Sequence, residues 1–531
     1  MGSVPEEMAL GFGDLVGDLR EVYESGRTRD LEWRQSQLRG LVRLLEEKEE
    51  DIFDVLREDL GKHRGESFRD EVGFSFLCAS NECFAFCLSN LGSPSVQSSN
   101  VTIYIPLCSG WGSEEVRRGQ AAELQELGGT REGMFLLNTP AWRHSVSLLS
   151  WLSAHTPLVA FPATAFVVPE PLGVVLIFSC WNLPIGLVLE PLSGALAAGN
   201  AVVVKPSELA PSTSAFLAAN LPKYLDPKAV KVVEGGADVG ERLMEHRWDK
   251  VLFTGSSRVG RMIMTKAAKH LTPVALELGS KCPCIVDWLD SNRDSQVHHL
   301  CSSCSSVLRR QNDRNNASMI EMLKTTLKKF FTKPEYMSRI LNEKHLKRLS
   351  DLLADRRVAA SVVHGGHFNP KTLTIEPTLL LNPPLDSDIM TEEIFGPLLP
   401  IITVKKIEDS ITFLKSKPKP LAIYAFTRNE KLKNRIIEET SSGSVTFNDA
   451  IVQYGLDSIP FGGVGHSGFG QYHGKYSFEM FSHKKAVLKR SFLIEFMFRY
   501  PPWDETKISM LRRVYRFDYI SLFLAIIGLR R

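Results

Sequence analysis

Several features that would narrow the function of this sequence are absent. The net charge of its 531 residues is only +2, so neither sign of charge dominates, which argues against nucleic acid as a partner. Its nine cysteines are too few for a disulfide scaffold of this length, and no apolar segment of the signal-peptide type follows Met1. These absences favour a cytoplasmic protein. With 44% hydrophobic and 23% charged residues, the composition is that of a globular protein of two or three domains.

Long apolar runs are also absent, and the C-terminus carries only a short one. Tyr519 to Gly528 is nearly all apolar and has arginines on both sides. It is shorter than the roughly 18 residues that a spanning helix needs. Two interpretations stay open: an interfacial anchor on an intracellular membrane, or a terminal helix docked on the body or on another subunit.

From Gly173 onward, short apolar runs alternate with segments of helical character. The runs are GVVLIFS, NAVVVKPS, AVKVVEGG, DKVLFTGS and TPVALELG. Strands that alternate with helices predict an α/β fold with a doubly wound parallel sheet that is covered on both faces. Ligands of such folds bind at the carboxyl ends of the strands.

Two stretches lack this pattern. Residues 76–156 cluster Ser, Gly and Cys, and residues 297–316, VHHLCSSCSSVLRRQNDRNN, are polar and without periodicity. We interpret both as foreign to the fold, because connections in compact domains are short. Cys301 and Cys304 form a Cys-x-x-Cys pair that invites a metal or redox interpretation, but no second pair accompanies it. We therefore predict a solvated loop there and no metal site.

Residues after two of the predicted strands suit a dinucleotide, and a third strand is followed by a candidate oxyanion donor. Gly255 and Ser256 precede a helix start, where free backbone N–H groups bind phosphate. Lys205 and Glu208 follow another strand, and their side chains suit the hydroxyls of a ribose. Asn182, which follows Trp181, is either an oxyanion donor or a turn residue.

Glu277 lies at the end of the run PVAL, and a carboxylate there suits a general base beside a nucleophile. The motifs FSCWNLP, VVVKPSE, FTGSSRVG, LELG, EEIFGP and PFGGVGHSGFG occur in that order. This series resembles the aldehyde dehydrogenase superfamily. The segments PEPLGVVLIFSCWNLP and AKHLTPVALELG are most similar to its class 3, fatty aldehyde dehydrogenase-like members.

The resemblance covers residues 1–75, 157–296 and 317 to about 500, and it implies a domain plan. Residues 1–75 and 157–276 would form the NAD(P)-binding domain, interrupted by 76–156, and residues 277–440 the catalytic domain. Residues 441–500 would return to the cofactor and oligomerisation region, and 501–531 would be the tail. The resemblance also implies NAD or NADP as cofactor, a medium- or long-chain aliphatic aldehyde as substrate, and a homodimer.

The resemblance also implies roles for individual residues. Asn182 would stabilise an oxyanion, and Glu277 would activate water for thioester hydrolysis. Lys205 and Glu208 would hold the adenosine ribose of the cofactor. Gly255 and Ser256 would lie by its pyrophosphate, and Glu393 and Phe395 would hold its nicotinamide riboside.

One element of the resemblance is missing, which leaves several functional hypotheses. Relatives carry a Gly-Gln-x-Cys nucleophile motif in the interval that holds residues 297–316 here, and no cysteine of this chain matches it. Ser280 also replaces a second glycine after Gly279. The chain would oxidise aldehydes with NAD(P)+; the alternative is a catalytically impaired homologue that binds nucleotide or partners. Mis-spliced or frame-shifted translation is a third explanation of both foreign stretches.

Overall fold

The computed structural model describes residues 7–80, 153–154, 163–289, 305–310, 313–333, 336–492 and 495–526. These residues belong to two units: residues 1–84 with 169–485, and residues 85–168 with 486–531. The prediction that residues 76–156 are foreign to the fold falls almost entirely on residues outside the described ranges.

The helices and strands follow one another in mixed order. The α-helices are α1 (Glu7–Glu24), α2 (Leu31–Glu47), α3 (Glu49–Leu60), α4 (Arg64–Ser67), α5 (Gly186–Ala198), α6 (Pro211–Tyr224), α7 (Ala237–Leu243), α8 (Ser257–Ala268), α9 (Asp313–Phe330), α10 (Glu343–Ala354), α11 (Arg356–Ala359), α12 (Asp388–Thr391), α13 (Asp409–Lys415), α14 (Glu430–Glu439), α15 (Lys475–Met480), α16 (Glu505–Tyr515) and α17 (Tyr519–Ile526). The strands are β1 (Ser153–Ala154), β2 (Ala163–Pro171), β3 (Val174–Phe178), β4 (Ala201–Lys205), β5 (Val230–Val232), β6 (Lys250–Gly255), β7 (Val274–Leu278), β8 (Pro283–Val286), β9 (Ser306–Arg310), β10 (Val362–His364), β11 (Phe368–Asn369), β12 (Thr374–Ile375), β13 (Thr378–Leu381), β14 (Leu398–Val404), β15 (Ala422–Phe426), β16 (Ser444–Phe447), β17 (Gly468–Phe469) and β18 (Ser482–Arg490). Single turns of 3-10 helix occupy Arg27–Arg29, Gly465–Ser467 and Met497–Arg499, and a π-helical turn occupies Phe68–Val72.

A six-stranded sheet in the first unit has the order β17-β7-β6-β3-β4-β5. Its strands from β7 to β5 are parallel, and β17 is antiparallel to β7. All five side chains of β3 are buried, and they alternate between two cores: Val175 and Ile177 face one, Val174 and Leu176 the other. A strand that is apolar on both faces needs cover on both sides, which helices supply here. The predicted α/β fold is confirmed.

A seven-stranded sheet in the same unit has the order β10-β13-β14-β9-β8-β15-β16. All its strands are parallel except β10, which is antiparallel to β13. The sheet also separates two cores, because Ile285 and Leu308 face one and Cys284 and Val307 the other.

The prediction that residues 297–316 lack regular structure is wrong for their second half. Ser306–Arg310 forms β9, which pairs with both β8 and β14 near the middle of the seven-stranded sheet. Val307 and Leu308 are fully buried. The helix after it begins at Asp313, so the last four residues of this stretch are helical as well. Only Val307 and Leu308 of β9 are apolar, and two arginines follow them. The sequence pattern therefore did not indicate a central strand.

The second unit contains β1, most of β2, the end of β18 and the helices of the tail. The strands β1, β2 and β18 form a three-stranded sheet in that order. Helices α16 and α17 pack through a small core of Phe498, Val514 and Leu522. None of the described helices is long and apolar enough to cross a membrane.

Candidate active site

Four parallel strands of the six-stranded sheet end at one edge, and the predicted site residues follow those ends. Asn182 comes after β3, Lys205 is the last residue of β4, and Gly255 is the last residue of β6. Glu277 is the second-last residue of β7. Because the strands are parallel and in register, their carboxyl ends share an edge. The doubly wound topology therefore brings these four positions to one side of the sheet.

Lys205 and Glu208 form an ion pair at this edge, in which the lysine is buried and the glutamate is partly exposed. The Lys205 ammonium is buried and donates to the Glu208 carboxylate at 3.1 Å and to the Pro206 carbonyl oxygen at 3.0 Å. The Glu208 side chain is 43% exposed. One partner is thus fixed in the protein while the carboxylate reaches solvent, where it can accept hydrogen bonds from a ligand.

Ser256 caps the helix that starts at the end of β6. Its backbone is extended, and its hydroxyl oxygen accepts from the Val259 N–H at 3.4 Å. The hydroxyl proton is not used in this cap, and Ser256 is exposed. The helix start therefore presents a hydroxyl donor to solvent at the strand edge.

Glu277 is held by two hydroxyl groups. Its Oε2 atom accepts from the Tyr472 hydroxyl at 2.8 Å and from the Thr254 hydroxyl at 3.3 Å. Burial raises the pKa of Glu277 above its ordinary value, and the hydrogen bond from Tyr472 opposes this rise. Tyr472 was not predicted; it lies two residues after the motif PFGGVGHSGFG, and this proximity is the signal in the sequence that could have indicated it.

A second buried carboxylate, Glu190 on α5, lies in a polar cluster beside Tyr472. Its Oε2 atom accepts from the Tyr454 hydroxyl at 2.8 Å and lies 3.3 Å from His473 Nε2. The rings of Tyr472 and His473 are 4.5 Å apart, centroid to centroid. The Glu190 charge adds to burial in raising the pKa of Glu277.

Aromatic rings place Phe395 next to the Asn182 loop. The Trp181 ring meets the Phe395 ring edge-on at a centroid distance of 5.1 Å and the His345 ring at 5.6 Å. Phe395 is 46% exposed and its φ is +48°, a left-handed conformation that is rare for an aromatic residue. In this conformation the Phe395 ring is exposed to solvent beside Trp181.

Glu393 approaches from the same side, over Gly279. Its Oε1 atom accepts from the Ser280 N–H at 3.1 Å, and a Cβ atom on Gly279 would lie 1.8 Å from its Oε2. Burial raises the pKa of Glu393. Two basic residues that were not predicted hold its loop: Lys281 donates to the Glu392 carbonyl oxygen at 2.9 Å, and Arg348 to that of Glu393 at 3.3 Å.

Ser280, the departure after Gly279, is accommodated without displacing Glu277. Its hydroxyl oxygen accepts from the Leu421 N–H at 2.8 Å, so the extra side chain gains a partner just before β15. Glu277 keeps its bonds to Tyr472 and Thr254. The substitution therefore adds a contact between neighbouring segments.

The described cysteines are poorly suited to be nucleophiles. Burial raises the pKa of the Cys180 thiol to about 11, and the carboxylates of Glu277 and Glu393 add to this rise, so the thiolate is scarce near neutral pH. Cys284 is fully buried inside β8, and Cys282 lies just before that strand. Cys301 and Cys304 lie outside the described residues. Within the described ranges, no group of three or more His, Cys, Asp or Glu side chains is placed to hold a metal ion.

Comparison with known proteins agrees with this geometry. The chain matches the aldehyde dehydrogenase family over residues 151–487. It is 45% identical to aldehyde dehydrogenase family 3 member F1 of Arabidopsis thaliana, over 99% of this chain and 100% of that protein. It is 37% identical to family 3 member A2 of Rattus norvegicus, over 93% and 92% of the two chains. The solved structure of Staphylococcus aureus AldH in a substrate-bound state is similar with a TM-score of 0.78 and 30% identity, over 95% of this chain and 99% of that one.

Proposed function

Because the chain belongs to the aldehyde dehydrogenase family, we propose that its site binds NAD(P)+ and a medium- or long-chain aliphatic aldehyde, which it oxidises to the carboxylic acid. The family and class predicted from the motifs are confirmed. Membership makes this an NAD(P)-dependent aldehyde dehydrogenase. The chain length of the aldehyde rests on the motif resemblance alone.

The convergence of Asn182, Glu277 and Glu393 at one strand edge carries the proposal. When bound, NAD(P)+ accepts the hydride of the aldehyde. In this proposal the Asn182 amide donates to the aldehyde oxygen as negative charge develops there. Glu277, with a raised pKa, takes a proton from the water that hydrolyses the thioester. Glu393 and Phe395 orient the nicotinamide riboside.

A second candidate, a catalytically impaired homologue, is favoured by the state of the cysteines. The reaction needs a thiolate that adds to the aldehyde carbon, and the Cys180 thiol is protonated near neutral pH. The Gly-Gln-x-Cys motif is absent from the sequence. In this case the chain keeps its cofactor and aldehyde sites but turns substrate over slowly.

We expect NAD+ to bind at least about tenfold more tightly than NADP+, because the exposed Glu208 carboxylate repels a 2′-phosphate. Titration calorimetry of the full chain with each nucleotide measures both dissociation constants. Glu208→Gln is the matched control, since it removes the charge at nearly constant shape and should narrow the preference. Equal affinity of the unmodified chain for both nucleotides would contradict the role of Glu208, and no binding of either would overturn the cofactor assignment.

We also propose that the tail brings a cytoplasmic homodimer to an intracellular membrane. Phe517, Ile520 and Phe523 of the tail are 70%, 77% and 61% exposed, and Arg512, Arg513 and Arg516 lie close to them in sequence. Apolar side chains flanked by cations suit the interface of a bilayer with anionic headgroups.

Liposome flotation tests the tail. The full chain is expected to float with vesicles that contain phosphatidylserine, whereas a version ending at Pro501 should stay at the bottom of the gradient. Ile520→Asp with Phe523→Asp is the matched variant that keeps the arginines. Equal flotation of the full and truncated chains would remove the anchor and favour docking of the tail on the body or on the second subunit.

A further inference from the structure

A buried ion pair near the N-terminal side of the site is not accounted for by the chemistry above. Lys62 follows α3, and Glu71 lies in the π-helical turn Phe68–Val72. The Lys62 ammonium donates to Glu71 Oε1 at 2.5 Å, and the two side chains are 6% and 0% exposed. Two charges so deeply buried need a reason, because removing both from water is costly.

Both partners also bind the loop that carries Asn182. The Lys62 ammonium donates to the Asn182 carbonyl oxygen at 2.9 Å. Glu71 Oε2 accepts from the backbone N–H groups of Ile185 and Gly186, at 2.9 Å and 3.0 Å. The pair therefore holds the loop between β3 and α5 at Asn182 and at Ile185, and it also holds Gly186, the first residue of α5.

The contact with Ile185 and Gly186 explains part of the burial. These N–H groups lie at the start of α5, where helix geometry leaves donors without partners inside the helix. Ile185, the residue before α5, offers no side chain to cap it. A carboxylate at this end is favourable for the helix dipole. An acidic side chain of the loop itself could also cap α5. Capping therefore does not explain why Lys62 is paired with Glu71.

Lys62 adds what a cap alone lacks: a fixed distance between the start of α5 and the Asn182 backbone. Among the described residues, none forms a hydrogen bond with the Asn182 side-chain amide. The backbone therefore determines where the amide can reach, because it fixes the direction of the Cα–Cβ bond. We propose that Lys62 and Glu71 are positioning residues that aim the Asn182 amide at the aldehyde oxygen. This inference rests on the proposed function, which supplies the aldehyde and the role of Asn182.

The same segment provides a matched control. Asp59, at the end of α3, is also buried and caps α6: its carboxylate accepts from the N–H groups of Ser212 and Thr213 at 3.0 Å and 2.8 Å. Among the described residues, the hydrogen bonds of Asp59 go to Ser212 and Thr213 and not to the Asn182 loop. Asp59→Ala should therefore weaken the fold in a similar way without moving the Asn182 amide.

The test uses hexanamide labelled with 13C at its carbonyl, an analogue that binds as an aldehyde would and is not oxidised. Isotope-edited infrared spectroscopy of the complex with the full chain and NAD+ reports the hydrogen bond to the carbonyl. Asn182→Ala should shift the band and raise the dissociation constant about tenfold. Lys62→Met and Glu71→Gln should reproduce that shift, Lys62→Arg should restore much of the original frequency, and Asp59→Ala should leave it unchanged.

The outcomes separate this inference from the proposed function. If a single variant fails to fold, Lys62→Met with Glu71→Leu removes both charges without leaving one unpaired. One outcome is a band that shifts in Asn182→Ala but not in Lys62→Met, in Glu71→Gln or in the double variant. That result overturns the positioning role and leaves the proposed function intact. If the unmodified chain does not bind hexanamide, or Asn182→Ala gives the unmodified band, the role of Asn182 in the proposed function fails and this inference fails with it.

Discussion

Replacing residues 297–304 with a Gly-Gln-x-Cys segment from a relative is expected to raise NAD(P)H production from hexanal by at least about 10³-fold. Covalent catalysis needs a thiolate within reach of both Asn182 and the nicotinamide. A misplacement near 1 Å already costs about 10²-fold, and a missing nucleophile costs more. The initial rate at saturating aldehyde and cofactor is the measurement.

The position of β9 sets the boundary of this graft. Ser306–Arg310 is a central strand between β8 and β14, so the replacement must end before it. A graft that continued to residue 316 would also replace β9, whose first three residues are buried. The matched control is the same graft with its introduced cysteine changed to serine, which should return to the low rate. Comparable turnover by the unmodified chain, abolished by Cys301→Ser or Cys304→Ser, would contradict the expectation.

Gly468→Ala is expected to destabilise the protein by about 2–6 kcal/mol, the sum of backbone strain and overpacking. Gly468 pairs with Glu277 across β17 and β7, and its φ is +117°. A Cβ atom there would lie 1.8 Å from the Leu276 carbonyl oxygen and 3.3 Å from the Leu278 nitrogen. Those atoms belong to the backbone of β7, which is fixed by its pairing with β6.

Gly26→Ala is the matched control for that experiment. Gly26 also has a left-handed φ, +82°, but nothing lies within 4 Å of its added Cβ atom. Gly26→Ala should therefore lower the free energy of unfolding only by the cost of the left-handed backbone conformation, on the order of 1 kcal/mol. Thermal and urea unfolding of both variants measures the difference. Equal losses would show that β7 yields to the new side chain and does not hold Glu277 rigidly.

Strand positions were predictable because burial on both faces leaves a mark in the sequence. The run VVLIF of β3 is apolar at every position and is bounded by Gly173 and by the turn after Phe178. Such runs give both the strand and its carboxyl end, and the parallel topology then collects Asn182, Lys205, Gly255 and Glu277 at one edge. The roles assigned to these residues remain predictions.

The contacts that hold those residues were not predictable in the same way. Tyr472 reaches Glu277 across 195 positions, Leu421 donates to Ser280 across 141, and Lys62 reaches Asn182 across 120. Neither periodicity nor local spacing encodes such pairs. Their partners are far apart in sequence, and only the tertiary fold brings them together.

Our central proposal, the second candidate above, is that this chain keeps the residues expected to bind the cofactor and to act as base but lacks the Gly-Gln-x-Cys motif that supplies the thiolate. Covalent trapping tests this proposal most directly. In a Glu277→Gln background, hydrolysis of a thioester is slowed, so any acyl-enzyme formed from hexanal and NAD+ should accumulate. Intact-mass spectrometry after acid quenching reports the adduct, and peptide mapping reports its position. We expect no hexanoyl adduct on the unmodified segment and one adduct per chain on the Gly-Gln-x-Cys graft. A hexanoyl group on Cys301 or Cys304 of the chain with its own segment would contradict the proposal.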